Sequence, residues 1–224
     1  MRKEIADYVL PVFRSAIEYK EGLRSNEAVW RYRFAECQKK MLALLQAPVR
    51  DDLRSDVLGD HRSMDVGPAT ARLAFLGIRY ALACWLDEIF ILDSPWKDQW
   101  NVNSLESTLY KSRERATEFW EQAQRAQTRA TRDALEVYYL CVMLGFRGDM
   151  LEKPAELNAW RDAVQSQITQ EEGRTYSAPT GLQVNPTVHT KLDGAGKMQW
   201  WFMVCMILVL AFIPVGILLW YQWK

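Results

Sequence analysis

Two adjacent carboxylates, Asp87 and Glu88, stand in the stretch LACWLDEIFIL as its only polar residues, which makes them the chain's leading candidates for chemistry. A carboxylate in such surroundings is costly unless it meets a cation or a set of hydrogen-bond donors. If the run is helical, the pair falls near its C-terminal end, where the helix dipole adds to the cost. Three readings follow. The pair forms an internal ion pair that holds two helices together, it lines an acidic cleft that receives a basic group from a partner protein, or it acts as a general acid and base. The third is the weakest, because neighbouring helical residues point about 100° apart and do not converge on one substrate. For an internal pair, Arg79 lies two turns back along the same helix, so Arg147, next to a glycine stop, is the better partner. Trp96 and Trp100 follow the acids in DSPWKDQWN, a predicted turn that leaves them exposed or half-buried. They are packing caps or, in a protein that assembles, anchors for a partner.

The other reactive residue types do not converge. His61 and His189 lie in predicted loop or tether, away from any Cys, Asp or Glu at metal-ligand spacing. In the string DGAGKM at 193–198, Lys191 stands where a phosphate loop needs its first glycine, and Met198 replaces the hydroxyl residue that binds magnesium. There is no GxSxG elbow and no HExxH pair. The expectation is no catalytic residue, no metal and no cofactor. Cys37, Cys84, Cys141 and Cys205 are scattered through apolar, helix-patterned surroundings, as reduced thiols of a cytoplasm-facing protein would be. Basic and acidic residues balance at 28 each and the pI is near 6.7, so no overall field recruits nucleic acid.

Helical periodicity dominates the segments that must position these residues, and no stretch alternates as a strand does. Helices are predicted at 8–19, with Val12, Ala16 and Tyr19 inward and Pro11 tolerated near the first turn, and at 26–47, capped by Asn26 and ended by Pro48. Residues 49–68 read as loop or a short, poorly packed helix. The helix at 69–92 carries two apolar faces and therefore belongs at the centre of a bundle. Three more follow at 104–129 (with a break), 131–144 (stopped by Gly145 and Gly148) and 154–170. The fold class is all-α, a helical bundle.

Beyond it the composition changes. Residues 171–197 are rich in Gly, Pro, Thr and Ser and read as a flexible tether. Residues 200–221, WWFMVCMILVLAFIPVGILLWY, carry no charge. As a helix they would be roughly 33 Å long against a hydrocarbon core of about 30 Å. Trp200, Trp201, Trp220, Tyr221 and Trp223 mark the two interfaces, and Pro214 with Gly216 interrupts the span where a neighbouring helix could pack. No signal peptide precedes, since Asp7, Pro11 and Arg14 break the N-terminal apolar residues. The organisation read here is a cytoplasmic helical domain at 1–172, a linker at 173–197, a transmembrane helix at 198–221 and a periplasmic stub at 222–224.

The segments RYALACWLDEIF (79–90), SPW (94–96), NSLESTLY (103–110) and YYLCVMLGFRGDM (138–150), in that order and spacing, resemble the DotU/TssL family, also called IcmH/DotU. The resemblance implies an inner-membrane component of a type VI secretion system, with relatives in type IVB systems. It implies a hook-like cytoplasmic domain of two three-helix lobes and one C-terminal crossing. The family's acidic pair falls on Asp87 and Glu88, in a cleft that meets partners. Those partners would be a TssM/IcmF-type inner-membrane protein, cytoplasmic baseplate subunits, further copies of the chain and, indirectly, an outer-membrane lipoprotein. Some relatives carry a peptidoglycan-binding domain after the crossing; none is expected here, and cell-wall attachment is expected through another subunit. The implied role is assembly rather than catalysis; the alternatives are a tail-anchored, cytoplasm-facing adaptor or regulator unrelated to secretion and, weakest, a membrane-anchored enzyme using Asp87 and Glu88.

Overall fold

The computed structural model describes residues 1–60, 74–92 and 94–175, which are helical with no strand among them. They fall within one compact unit, Met1–Tyr176. The elements are α1 (Lys3–Ser25), α2 (Glu27–Trp30), α3 (Phe34–Leu45), α4 (Arg54–Leu58), α5 (Ile78–Ile91), α6 (Lys97–Val102), α7 (Leu105–Tyr110), α8 (Arg115–Gln127), α9 (Asp133–Met143) and α10 (Pro154–Thr175).

Helix α5 is the axis of the core. Twelve of its residues are buried, as a helix apolar on two faces requires, and it packs against α1, α3, α4, α6, α7, α8 and α9. It is shorter than the predicted 69–92. Gly77, at φ +84°, breaks the helix on its N-terminal side, and a Cβ there would run into the Val57 carbonyl. Gly59 (φ +79°) faces Phe75 and Leu76 in the same way, so two backbones cross at a pair of glycines. The Asp60 N–H donates to the Phe75 carbonyl across this crossing (2.9 Å).

Helix α1 is longer than predicted, and Pro11 lies inside it. The proline and Asp7, the residue whose carbonyl loses its donor, are both on the exposed side, where water can replace the missing bond. Its buried stripe, Ile5, Val9, Val12, Phe13, Ala16, Tyr19 and Leu23, includes the three inward residues predicted there. The single helix expected at 26–47 is broken by a 3-10 turn at Arg31–Arg33. Trp30 turns back onto Tyr19, with edge-on rings 5.4 Å apart, and the Trp96 indole donates to the Arg31 carbonyl (2.8 Å), tying the break to the core. Asn26 caps α2, its side chain accepting from Val29 N–H (3.4 Å).

Residues 51–58 are better packed than the sequence suggested, with Leu53, Asp56 and Val57 buried. The expected break in 104–129 occurs at Lys111, whose φ is +57°. Helix α9 stops before Gly145 (φ +111°) and Gly148 (φ +49°) as anticipated. Helix α10 buries Leu157 and Val164, with Trp160 and Ile168 partly buried against the core. Cys37, Cys84 and Cys141 are buried free thiols.

Among the described residues no helix is long and apolar enough to cross a membrane. Helix α10 runs on to Thr175, past the predicted end at 170, so residues 171–175 of the predicted tether are helical. The rest of the tether, the span at 200–221 with Pro214 and Gly216, both histidines and Cys205 lie outside the described residues.

Candidate functional site

The last turns of α5 send Asp87 and Glu88 to different segments, as their 100° separation requires. Asp87 is fully buried. Its Oδ1 accepts from the Trp100 indole N–H (2.8 Å) and the Leu105 N–H (2.8 Å), and its Oδ2 accepts from the Glu106 N–H (2.9 Å). Leu105 and Glu106 open α7, and the first N–H groups of a helix have no partner within it. Asp87 therefore caps α7 from another helix, with its negative charge at the favourable end of that dipole. Ser104 adds the local cap, accepting from Ser107 N–H (3.2 Å).

Glu88, 7% exposed, performs the same task on a different turn. Its Oε1 accepts from the Arg147 N–H (2.6 Å), and its Oε2 from the Gly148 N–H (3.1 Å). That turn lies tight against α8, since a Cβ at Gly148 would meet the Ala116 carbonyl. A third carboxylate, Glu106, continues the pattern from α7: fully buried, its Oε1 accepts from Tyr80 O–H (3.2 Å) and from the N–H of Glu114, just before α8 (2.9 Å). Its Oε2 has no hydrogen-bond partner among the described residues. Three acids thus fix the starts of α7 and α8 and the turn after α9 against α5.

Burial pushes the Asp87 carboxyl up to about 6, opposed by its backbone and indole donors and by the charge of Arg115. Burial also raises Glu88, opposed by the Arg147 and Gly148 N–H groups and then by the charges of Arg115 and Arg147. Desolvation outweighs the capping bonds in both cases.

The predicted ion pair between Arg147 and the acids does not form. The Arg147 guanidinium donates through Nη1 to the carbonyls of Val142 and Phe146, each at 2.7 Å, and only its backbone N–H reaches Glu88. The end of α9 offers unsatisfied carbonyls to a cation, and they take this one. Trp96 and Trp100 are likewise not at the surface: both are fully buried, and Trp100 lies in a helix where a turn was predicted. Phe90 stacks on Trp100 (4.4 Å between centroids), Phe34 meets both indoles edge-on, and each indole N–H has an internal acceptor. Asp87, Trp96 and Trp100 are brought together, but inside the domain. Glu106 and Arg115 escaped the sequence reading. Glu106 follows Ser104, a legible cap, yet nothing local shows that its carboxylate turns inward. No group of three or more His, Cys, Asp or Glu side chains among the described residues could hold a metal ion.

Fold and site together define an all-helical domain whose turns are pinned by inward-facing acids. The chain belongs to the DotU family: the family described as type VI secretion system protein DotU matches residues 48–223, most of the chain. In three dimensions it is similar to the cytoplasmic domain of TssL from Acinetobacter baumannii. The TM-score is 0.51 at 18% identity, covering 74% of this chain and 97% of that one. No curated protein matches the chain in sequence.

Proposed function

We propose that the chain is a structural component of the inner-membrane complex of a type VI secretion system, anchored by residues 200–221 with its helical domain in the cytoplasm. The observation that carries this is the extent of the family match, which runs from residue 48 to 223 and takes in both the acidic pair and the uncharged segment. In this reading the domain adopts the hook-like arrangement of two three-helix lobes and links a TssM/IcmF-type partner to the cytoplasmic baseplate. Pro214 and Gly216 form the place where a neighbouring membrane helix packs. Asp87, Glu88, Trp96 and Trp100 serve the partner face from beneath, by fixing the turns a partner touches. Their polar atoms are already engaged within the domain.

Affinity purification of the full chain from detergent-solubilised membranes, with identification of what accompanies it, tests the proposal. Inner-membrane and baseplate subunits of the secretion machine are expected. Their absence from a preparation that retains the intact chain overturns it.

A further inference from the structure

The acidic end of α5 is bordered by basic side chains. Asp87 and Glu106 are fully buried and Glu88 nearly so, each turned to N–H or O–H donors. Around them stand Lys111 and Arg113, exposed in the turn between α7 and α8, with Arg115 and Arg147 half-buried behind. Arg115 and Arg147 belong to one place, since both act on Glu88 and the Gly148 turn rests on Ala116, and Lys111 and Arg113 lie in the turn that leads into Arg115. None of them forms an ion pair with a carboxylate among the described residues. Lys111 donates to the Thr108 carbonyl (3.2 Å), Arg113 to the Val102 carbonyl (3.4 Å) and Arg147 to the two carbonyls at the end of α9. Elsewhere in the domain Arg2, Arg33, Arg50 and Arg129 meet acids, whereas Arg79 meets the Tyr110 hydroxyl, so what marks this place is the gathering of four such cations rather than their lack of an acid. Two exposed acids interrupt the strip, Glu114 and Asp149, the latter accepting from the Thr117 hydroxyl (2.6 Å).

We propose that Lys111, Arg113, Arg115 and Arg147 form a docking strip for an acidic, Glu- or Asp-rich segment of a protein partner. The inference rests on the reading above that this end of the domain is a partner face, and it reverses the polarity expected from the acids alone. Guanidinium groups that make no direct ion pair within the domain can still pair with carboxylates that arrive from outside. A protein segment fits better than an anionic lipid surface, because Glu114 and Asp149 repel a uniformly negative plane whereas a peptide can place its acids between them.

The test uses the full chain in detergent and a fluorescent synthetic Glu-rich peptide, with the same peptide carrying Gln in place of Glu as the control. The Glu-rich peptide should bind, more weakly as salt is raised, and the Gln peptide should not. Lys111→Glu with Arg113→Glu, both at exposed positions, should weaken binding by about tenfold or more, and Glu114→Lys should strengthen it, which a merely structural effect would not do. Equal binding of the two peptides, or binding unchanged in the double variant, overturns the proposal. So does loss, in that variant, of binding to phosphatidylcholine vesicles containing phosphatidylglycerol while peptide binding is unaffected, which would assign the strip to lipid. Capture of secretion subunits by the unmodified chain is scored separately. Its failure would remove the assignment to the secretion complex, while the peptide measurement still decides the polarity of the strip.

Discussion

Near the crossing of Gly59 and Gly77, the carboxylates of Asp56 and Asp133 are answered by Arg2, with Arg129 and the Thr131 hydroxyl also on Asp56. At the other end of α5, Asp87, Glu88 and Glu106 are answered mainly by backbone N–H groups. Both sets of acids are buried, Asp56 at 5% and Asp133 at 6% exposed against 7% for Glu88. What differs is the partner: the Arg2 side chain that answers the first set is 40% exposed, so water reaches the cation's side of those pairs. Arg2 ties the start of the chain to two buried acids, whereas the inward acids determine where three chain segments begin. The family match takes in the acids of both regions but not Arg2, and only the second region gathers segments from four parts of the chain, residues 80–88, 100–106, 114 and 147–148, against one helix.

The sharpest way to break this contrast is Asp87→Ala. It strands the Trp100 indole and the Leu105 and Glu106 N–H groups, at about 1–3 kcal/mol for each buried donor left alone, partly offset by relief of a buried charge. A net loss of about 3 kcal/mol should appear as a fall of roughly 6–12 °C in melting temperature for a domain of this size. Loss confined to binding, with melting unchanged, would instead place the carboxylate in a partner contact.

The pH dependence is the next largest effect. The Asp87 carboxyl is raised in the folded state, from about 3.8 to about 6, so its stabilising contribution is complete below the lower value and lost as pH rises through the upper one. Two units at 1.36 kcal/mol each make this about 3 kcal/mol between pH 4 and 7. Glu88 shifts in the same direction and adds to the slope. Urea denaturation of Asp87→Asn at several pH values should show a visibly flatter profile over that window than the unmodified chain. An identical slope would mean that Asp87 is not the titrating group.

The Arg2 set should respond less. Arg2→Ala removes side-chain bonds to both Asp56 and Asp133, but Asp56 keeps Arg129 and the Thr131 hydroxyl and Asp133 keeps the backbone N–H of residue 2, so about 1–2 kcal/mol is expected. The difference from the unmodified chain should shrink in high salt, as the acids' difference should not. A loss as large as that of Asp87→Ala would erase the distinction between the two ends.

Much of this architecture was legible because helices declare themselves locally. The stripe Val12, Ala16 and Tyr19, the stop at Gly145 and the two apolar faces of α5 are periodic or local signals, and each appears where it was expected. What could not be read was nonlocal. The break at Arg31–Arg33 depends on Trp30 and Trp96 meeting partners elsewhere in the domain, and the burial of Trp100 depends on an acceptor 13 residues away on another helix. The acids were identified as costly, and the cost was correctly placed. Relief comes from the N–H groups that helix starts leave free, and no local pattern around the acids shows which segments bring them.

That source of relief gives the smallest and most discriminating prediction, Arg147→Ala. If Arg147 neutralised the acids through its side chain, removing it would leave a buried carboxylate unpaired and cost about 3–5 kcal/mol. The structure instead gives Glu88 the backbone N–H of residue 147, which alanine also supplies, together with that of Gly148. Only the guanidinium bonds to the Val142 and Phe146 carbonyls disappear, at a half-exposed helix end where water can take their place. The expected loss is therefore about 1 kcal/mol or less, read as a small shift in the urea midpoint. Arg147→Pro is the complement, since it deletes the N–H that Glu88 holds, and it should cost several times more than the alanine. If alanine proves as damaging as proline, the side chain rather than the backbone holds the acid, and the distinction between the two ends of α5 fails.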